Sequence, residues 1–134
     1  MAILTDDNYV DKAEKTIKNL VTDKRNFKNK NSDVLSMSKL RNLLSLTSTL
    51  FDESKVREYE ELKEKIAYLR VQFVYQSGRE EAVLDLVQKG EILPILKEIN
   101  SRESLQRFCR YMEALVAYFK FYGGKDLWHL QKLK

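Results

Sequence analysis

A chain of 134 residues with 43% hydrophobic and 33% charged content has the length and makeup of one globular domain, not of a disordered segment. Four Gly and one Pro argue against a turn-rich β fold, and a lone cysteine, Cys109, excludes an intramolecular disulfide and a Cys-rich zinc site. The net charge of +4 is a mild basic excess that is compatible with a nucleic-acid partner without requiring one. No stretch approaches the roughly 18–20 apolar residues of a membrane span. Asp6 and Asp7 stand where a secretory signal would be basic and then apolar, so a cytoplasmic setting is expected.

Taken in order, Thr5 can cap a first helix whose apolar positions are Val10, Ala13, Ile17, Leu20 and Val21, a three-four spacing. Residues 23–33 lose that periodicity and gather Lys24, Arg25, Lys28, Lys30 and three asparagines, which reads as an exposed loop. Ser38, or alternatively Ser36, caps a second helix with Leu40, Leu43, Leu44, Thr47, Leu50 and Phe51 on one side. Ser54 is predicted to start a long third helix, striped by Tyr59, Leu62, Ile66, Leu69 and Phe73 and closed near Gln76 by Gly78. A fourth segment, about 79–89, carries Val83, Leu84 and Val87 and is interrupted by Gly90. Pro94 then opens a short helix with Ile95, Leu96 and Ile99. Ser101 caps the last helix, in which Leu105, Phe108, Cys109, Met112, Leu115, Val116 and Phe119 keep 3.6-residue spacing until Gly123 and Gly124. The fold class that follows is all-α: a compact, single-domain bundle of five to six helices, with sequence neighbours packed antiparallel.

Two helices carry more apolar surface than one buried stripe needs. Residues 66–75 read IAYLRVQFVY, and at about 100° per residue Tyr68, Val71 and Tyr75 lie opposite Leu69 and Phe73. That helix is either central in the bundle or covered by another chain. In the last helix Arg107, Arg110, Ala114, Ala117, Tyr118 and Phe121 fall opposite the core stripe. This second face is either packed by a neighbouring helix or a subunit contact beside a phosphate-facing edge. On the second helix Arg41, Ser45 and Ser48 align at three-four spacing near Lys39. A guanidinium flanked by hydroxyls suits phosphate oxygens, although an ordinary solvated face reads the same way.

Catalytic constellations are missing from the sequence. His129 is the sole histidine, which excludes a His-based acid–base pair, a Ser-His-Asp triad and a histidine-rich metal site. Cys109 falls on an apolar stripe, as a small buried hydrophobe does. Asp6, Asp7, Glu80 and Glu81 sit in first turns, where they complement the helix dipole. No Gly-rich phosphate loop occurs. No enzyme activity, cofactor, metal, small-molecule substrate or membrane partner is expected.

The strings YLRVQFVYQSGRE (68–80) and RESLQRFCRYMEALVAYFKFYGGKD (102–126) resemble the small subunit of the type III-A CRISPR effector, the Csm complex, in its streptococcal form. The opening MAILTDDNYVDKAEK and the segment SKLRNLLSL are similar as well, so the likeness covers nearly the whole chain. The resemblance implies a non-catalytic small subunit of an RNA-guided antiviral ribonucleoprotein, stacked head to tail into a filament beside the backbone subunits that hold the CRISPR RNA. It implies CRISPR RNA, target RNA, other Csm subunits and further copies of itself as partners. The basic positions that match are Arg41, Arg70, Arg79, Arg107 and Arg110, and these, with Ser45 and Ser48, are the expected RNA contacts. Tyr68, Tyr75, Tyr118 and Phe121 are the expected subunit contacts. The domain is expected to span residues 1–126, with 127–134 a C-terminal extension, native or appended. Two other readings are a free-standing helical nucleic-acid-binding regulator and a protein–protein adaptor whose basic face is incidental.

Overall fold

The computed structural model describes residues 2–22 and 35–122, the side chains of Val21 and Thr22 excepted. The basic loop of residues 23–33, the glycine pair at 123–124, His129 and the extension at 127–134 lie outside the described residues. Among the described residues there are six helices and no strand: α1 (Tyr9–Thr22), α2 (Met37–Ser54), α3 (Tyr59–Arg79), α4 (Glu81–Lys89), α5 (Ile92–Glu98) and α6 (Arg102–Phe121). The all-α bundle read from the sequence is the fold.

Local hydrogen bonding explains where the helices start. Thr5 and Asn8 cap each other: Thr5 Oγ1 accepts from the Asn8 amide at 3.1 Å, and Asn8 Oδ1 accepts from the Thr5 amide at 2.8 Å. Ser36, not Ser38, caps α2 by accepting from the Lys39 amide at 3.2 Å. Ser101 and Ser104 form the corresponding box on α6.

Two predicted boundaries are corrected. Ser54 ends α2 instead of starting α3, because its buried hydroxyl bonds back to the Phe51 carbonyl and accepts from Gln106 Nε2 at 2.9 Å. The chain then turns, and α3 begins at Tyr59, where the Glu61 carboxylate accepts from the Glu58 amide at 3.0 Å. Gly78 does not close α3: nothing lies within 4 Å of where its Cβ would be, and the helix runs on to Arg79. Glu80, extended at φ −133° and ψ 122°, makes the break. Val10 and Leu84, expected inside, are 41% and 37% exposed; Thr16 on α1, and Ala82 with Leu86 on α4, take the inward positions.

Packing is organised around α6. Its most extensive contacts are with α1 and α2, which are remote in sequence, so the last helix is packed on two sides. α2 and α3 form an antiparallel hairpin, shown by ion pairs at both ends, Lys65 with Glu53 and Lys39 with Glu80. α6 runs antiparallel to α2, with Gln106 at Ser54 and Cys109 at the Thr47 carbonyl. Inside, Phe73 of α3 meets Phe108 of α6 edge-on, ring centroids 6.1 Å apart. Leu62, Leu69, Leu86, Leu105, Tyr111, Met112 and Leu115 complete a continuous buried cluster around that pair.

Candidate functional site

The expected RNA-facing residues of α2 sit where the helical repeat puts them. Arg41, Ser45 and Ser48 are exposed along the strip opposite Leu40, Leu43, Thr47 and Leu50. Ser45 Oγ donates to the Asn42 carbonyl at 2.7 Å and Ser48 Oγ to the Leu44 carbonyl at 3.1 Å. Each hydroxyl therefore has to rotate off its own helix before it can donate to a phosphate. Arg41 has no acceptor among the described residues.

Arg79, the last residue of α3, joins this strip. The antiparallel hairpin places it with Asn42, Ser45 and Gln76 around a cleft of ≈ 450 Å³, closed on one side by Val83 of α4. Lys39 and Glu80 also line the cleft and pair across 3.0 Å. Sequence reasoning missed Gln76, and the signal was available: an antiparallel α2–α3 hairpin brings the first half of one helix to the last turn of the other.

Arg107 and Arg110 lie apart from that cleft. Arg107 Nε donates to Asp6 Oδ1 at 2.7 Å, and this hydrogen bond and charge hold the exposed Asp6 carboxyl below its ordinary value, with Arg110 adding a smaller effect. One expected phosphate contact thus already carries a carboxylate. Arg110 is exposed, and stands about 200° around α6 from Phe108, so it points away from α3. Arg70 is exposed on α3 and has no acceptor among the described residues. The seven expected contacts therefore form three groups instead of one stripe.

The apolar second faces separate in the same way. On α3, Tyr68, Val71, Val74 and Tyr75 are 62%, 57%, 52% and 63% exposed, so nothing in the described chain covers this face. On α6 the second face is divided: Ala114 and Tyr118 sit against the core, Tyr118 stacking on Tyr122 at 6.3 Å, whereas Arg110, Ala117 and Phe121 are exposed. Only Phe121 of the expected α6 contacts stands open, at 62%. The α6 face is thus partly packed within the bundle, whereas the α3 face is a surface.

Cys109 is buried, its thiol donating to the Thr47 carbonyl at 3.7 Å, and burial pushes it up to about 12. No cluster of three His, Cys, Asp or Glu able to hold a metal occurs among the described residues, and no described helix is long and apolar enough to cross a membrane.

These features define a small helical bundle that presents a basic cleft and an uncovered apolar face. A family model described as Csm2 Type III-A matches residues 12–125. The chain is 64% identical over 126 residues to the CRISPR system Cms protein Csm2 of Streptococcus thermophilus, covering 94% of this chain and 100% of that protein. It is 48% identical over 131 residues to a protein of the same description from Mycobacterium tuberculosis, covering 94% and 99%. A third, from Enterococcus italicus, is 36% identical over 99 residues, covering 69% and 71%. The chain belongs to the Csm2 family of type III-A CRISPR systems.

Proposed function

We propose that the chain is a non-catalytic small subunit of a type III-A CRISPR ribonucleoprotein, acting in the cytoplasm. Copies of it stack into a filament along the guide duplex and hold the backbone of the target RNA. In this reading residues 1–126 are the subunit domain and 127–134 an extension outside it. Other Csm subunits, CRISPR RNA, target RNA and further copies of the chain are its partners.

The observation that carries the RNA half is the set Arg41, Arg70, Arg79 and Arg110: four exposed guanidinium groups with no hydrogen-bond or ion-pair acceptor among the described residues. Sequence is read by base pairing in RNA-guided systems, so a protein that contacts only phosphate and ribose suffices. A net charge of +4 binds RNA weakly in one copy, and repetition along a filament multiplies the effect. The uncovered α3 face supports the stacking half, because a head-to-tail contact needs apolar area beyond the subunit's own core.

The test is reconstitution of the effector with Arg41, Arg70 and Arg110 replaced together by Glu. Target RNA affinity is expected to fall while the complex still assembles. Unchanged affinity removes these three as RNA contacts, and loss of assembly alone assigns them to subunit interfaces.

A further inference from the structure

The face of α3 that turns away from the core is apolar along its second half and acidic near its start. Tyr68, Val71, Val74 and Tyr75 are each more than half exposed. Gly78 leaves a bare spot beside them, since nothing lies within 4 Å of where its Cβ would be. Towards the helix start the same face carries Glu60 and Glu64, both exposed. Glu60 has Lys63 at 3.3 Å, whereas Glu64 has no partner among the described residues.

Helix directions bring one end of the chain towards this face. α2 runs antiparallel to both α3 and α6, so α3 and α6 are parallel and finish at the same end of the bundle. Phe73 and Phe108 are level, and at about 1.5 Å per residue α6 overshoots α3 by about 10 Å. The segment GGKDLWHLQKLK follows Tyr122 in the sequence, and extended it spans at most about 40 Å. Passing over the end of α3 to the level of Tyr75 takes about 25 Å, one interhelical spacing and a helix radius being crossed on the way.

We propose that residues 127–134 fold back over the end of α3 and cover the apolar face of their own chain, so that this segment and a neighbouring copy compete for one surface. The competition rests on the stacking reading above; the docking does not. Residue order matches the face from end to end. Laid back along α3, Trp128 and Leu130 come first and meet Gly78, Val74 and Tyr75, where the indole finds open space and apolar neighbours. Lys132 and Lys134 come last and meet the opposite charges of Glu64 and Glu60. In an extended run these four residues alternate onto one side. The short tether holds the segment at a roughly millimolar effective concentration, which a free copy at lower concentration does not match. The segment therefore covers the face in the dispersed chain and yields when copies are held side by side.

Trp128 is the sole tryptophan of the chain, so its fluorescence reports the docking directly. In the full-length protein, diluted until sedimentation velocity shows monomer, emission is expected to the blue of a solvated indole and to resist acrylamide quenching. Val71→Glu should cut the docked population about tenfold by setting a charge against the segment, moving emission to that of the denatured chain. Val56→Glu, at a valine 82% exposed before α3 begins, should leave emission unchanged. Glu64→Gln should loosen the segment at low salt, and that difference should fade at high salt. Leu130→Glu releases the segment and is expected to strengthen self-association about fivefold, because a competitor that occupies the face most of the time is gone. A solvated Trp128 in the monomer overturns the proposal, and so does emission indifferent to Val71→Glu. A blue shift that appears only as concentration rises overturns it too, assigning the segment to a neighbouring copy. Docking in a chain that never self-associates supports the segment's place and sinks the stacking reading. Self-association that Val71→Glu abolishes and Leu130→Glu leaves unchanged keeps the stacking reading and overturns the competition.

Discussion

Tyr111 Oη donates to the Gly90 carbonyl oxygen across 2.9 Å, fastening the middle of α6 to the turn between α4 and α5. The same phenol lies 3.4 Å from Thr16 Oγ1 of α1, so one fully buried side chain joins three parts of the bundle that are distant in sequence. Gly90 is constrained by this contact, since a Cβ there would sit 3.2 Å from both Tyr111 Oη and the Leu86 carbonyl oxygen. Next to it Glu91 adopts a left-handed φ of 53° and pairs with Lys12, holding the turn from the outside.

The expected cost of Tyr111→Phe is about 1–3 kcal/mol, the penalty for leaving a buried carbonyl without its donor. Urea unfolding should show it as a lower midpoint at unchanged slope. Gly90→Ala should be destabilising as well, because the phenol has to give way. Alkaline pH offers a second readout. Burial pushes the Tyr111 phenol up to about 12 from its ordinary 10.0, Thr16 opposing in smaller measure. The folded state therefore holds a proton that the unfolded state releases sooner. Its contribution is complete below pH 10 and is lost as pH rises towards 12, and in Tyr111→Phe that component of the alkaline decline should be missing.

Cys109 is expected to resist modification in the folded protein. Its thiol is buried and its ionisation lies near 12, with burial the main cause and Glu113 adding to it, so almost no thiolate exists at pH 8. Labelling with a chromogenic disulfide reagent should be slow in buffer and rapid in denaturant. Fast labelling of the native chain would contradict the packing of α6 against Thr47.

Most of the fold was legible because its periodic faces are long. The α6 stripe from Leu105 to Phe119 and the α3 stripe from Leu62 to Phe73 are buried as their spacing requires. What failed was local or long-range. Ser54 looks like a helix start in sequence, but Gln106, 52 residues away, accounts for its hydroxyl. Gly78 looks like a helix stop, but its φ is not one that only glycine tolerates, and the stop comes from Glu80. The second faces of α3 and α6 read alike in sequence, yet Ala114 and Tyr118 pack against the core, whereas nothing described reaches Tyr68 or Tyr75. The arginines were identifiable as exposed, but the Asp6 partner of Arg107 depends on contact between segments 101 residues apart.

The uncovered α3 face should control self-association without controlling stability. Val71→Glu places a charge among Val74, Tyr68 and Tyr75, where any apolar contact with another copy would have to bury it. All four positions are more than half exposed, so the thermal midpoint should hold, with a stability change within about 0.5 kcal/mol. Sedimentation velocity across a concentration series is expected to show loss of self-association in the variant. Association equal to that of the parent chain would move the contact to another face.

Asp6 and Arg107 give a final, two-sided expectation. The arginine holds the Asp6 carboxyl below its ordinary 3.8, chiefly through their hydrogen bond and then through charge. A carboxyl lowered in the folded state stabilises it above the unfolded value, and the effect disappears as pH falls through the folded value. Asp6→Asn should therefore leave acid unfolding less steep below about pH 4, while stability at neutral pH changes only slightly, because the Asp6 side chain is 76% exposed. The same substitution releases Arg107 from its only described carboxylate partner. If Arg107 contacts RNA within the assembled complex, Asp6→Asn raises target affinity, and Arg107→Ala in that background removes the gain. A variant that alters acid stability and leaves RNA affinity untouched would make the pair a strut between the N-terminal turn and α6, and would leave phosphate binding to Arg41, Arg70, Arg79 and Arg110.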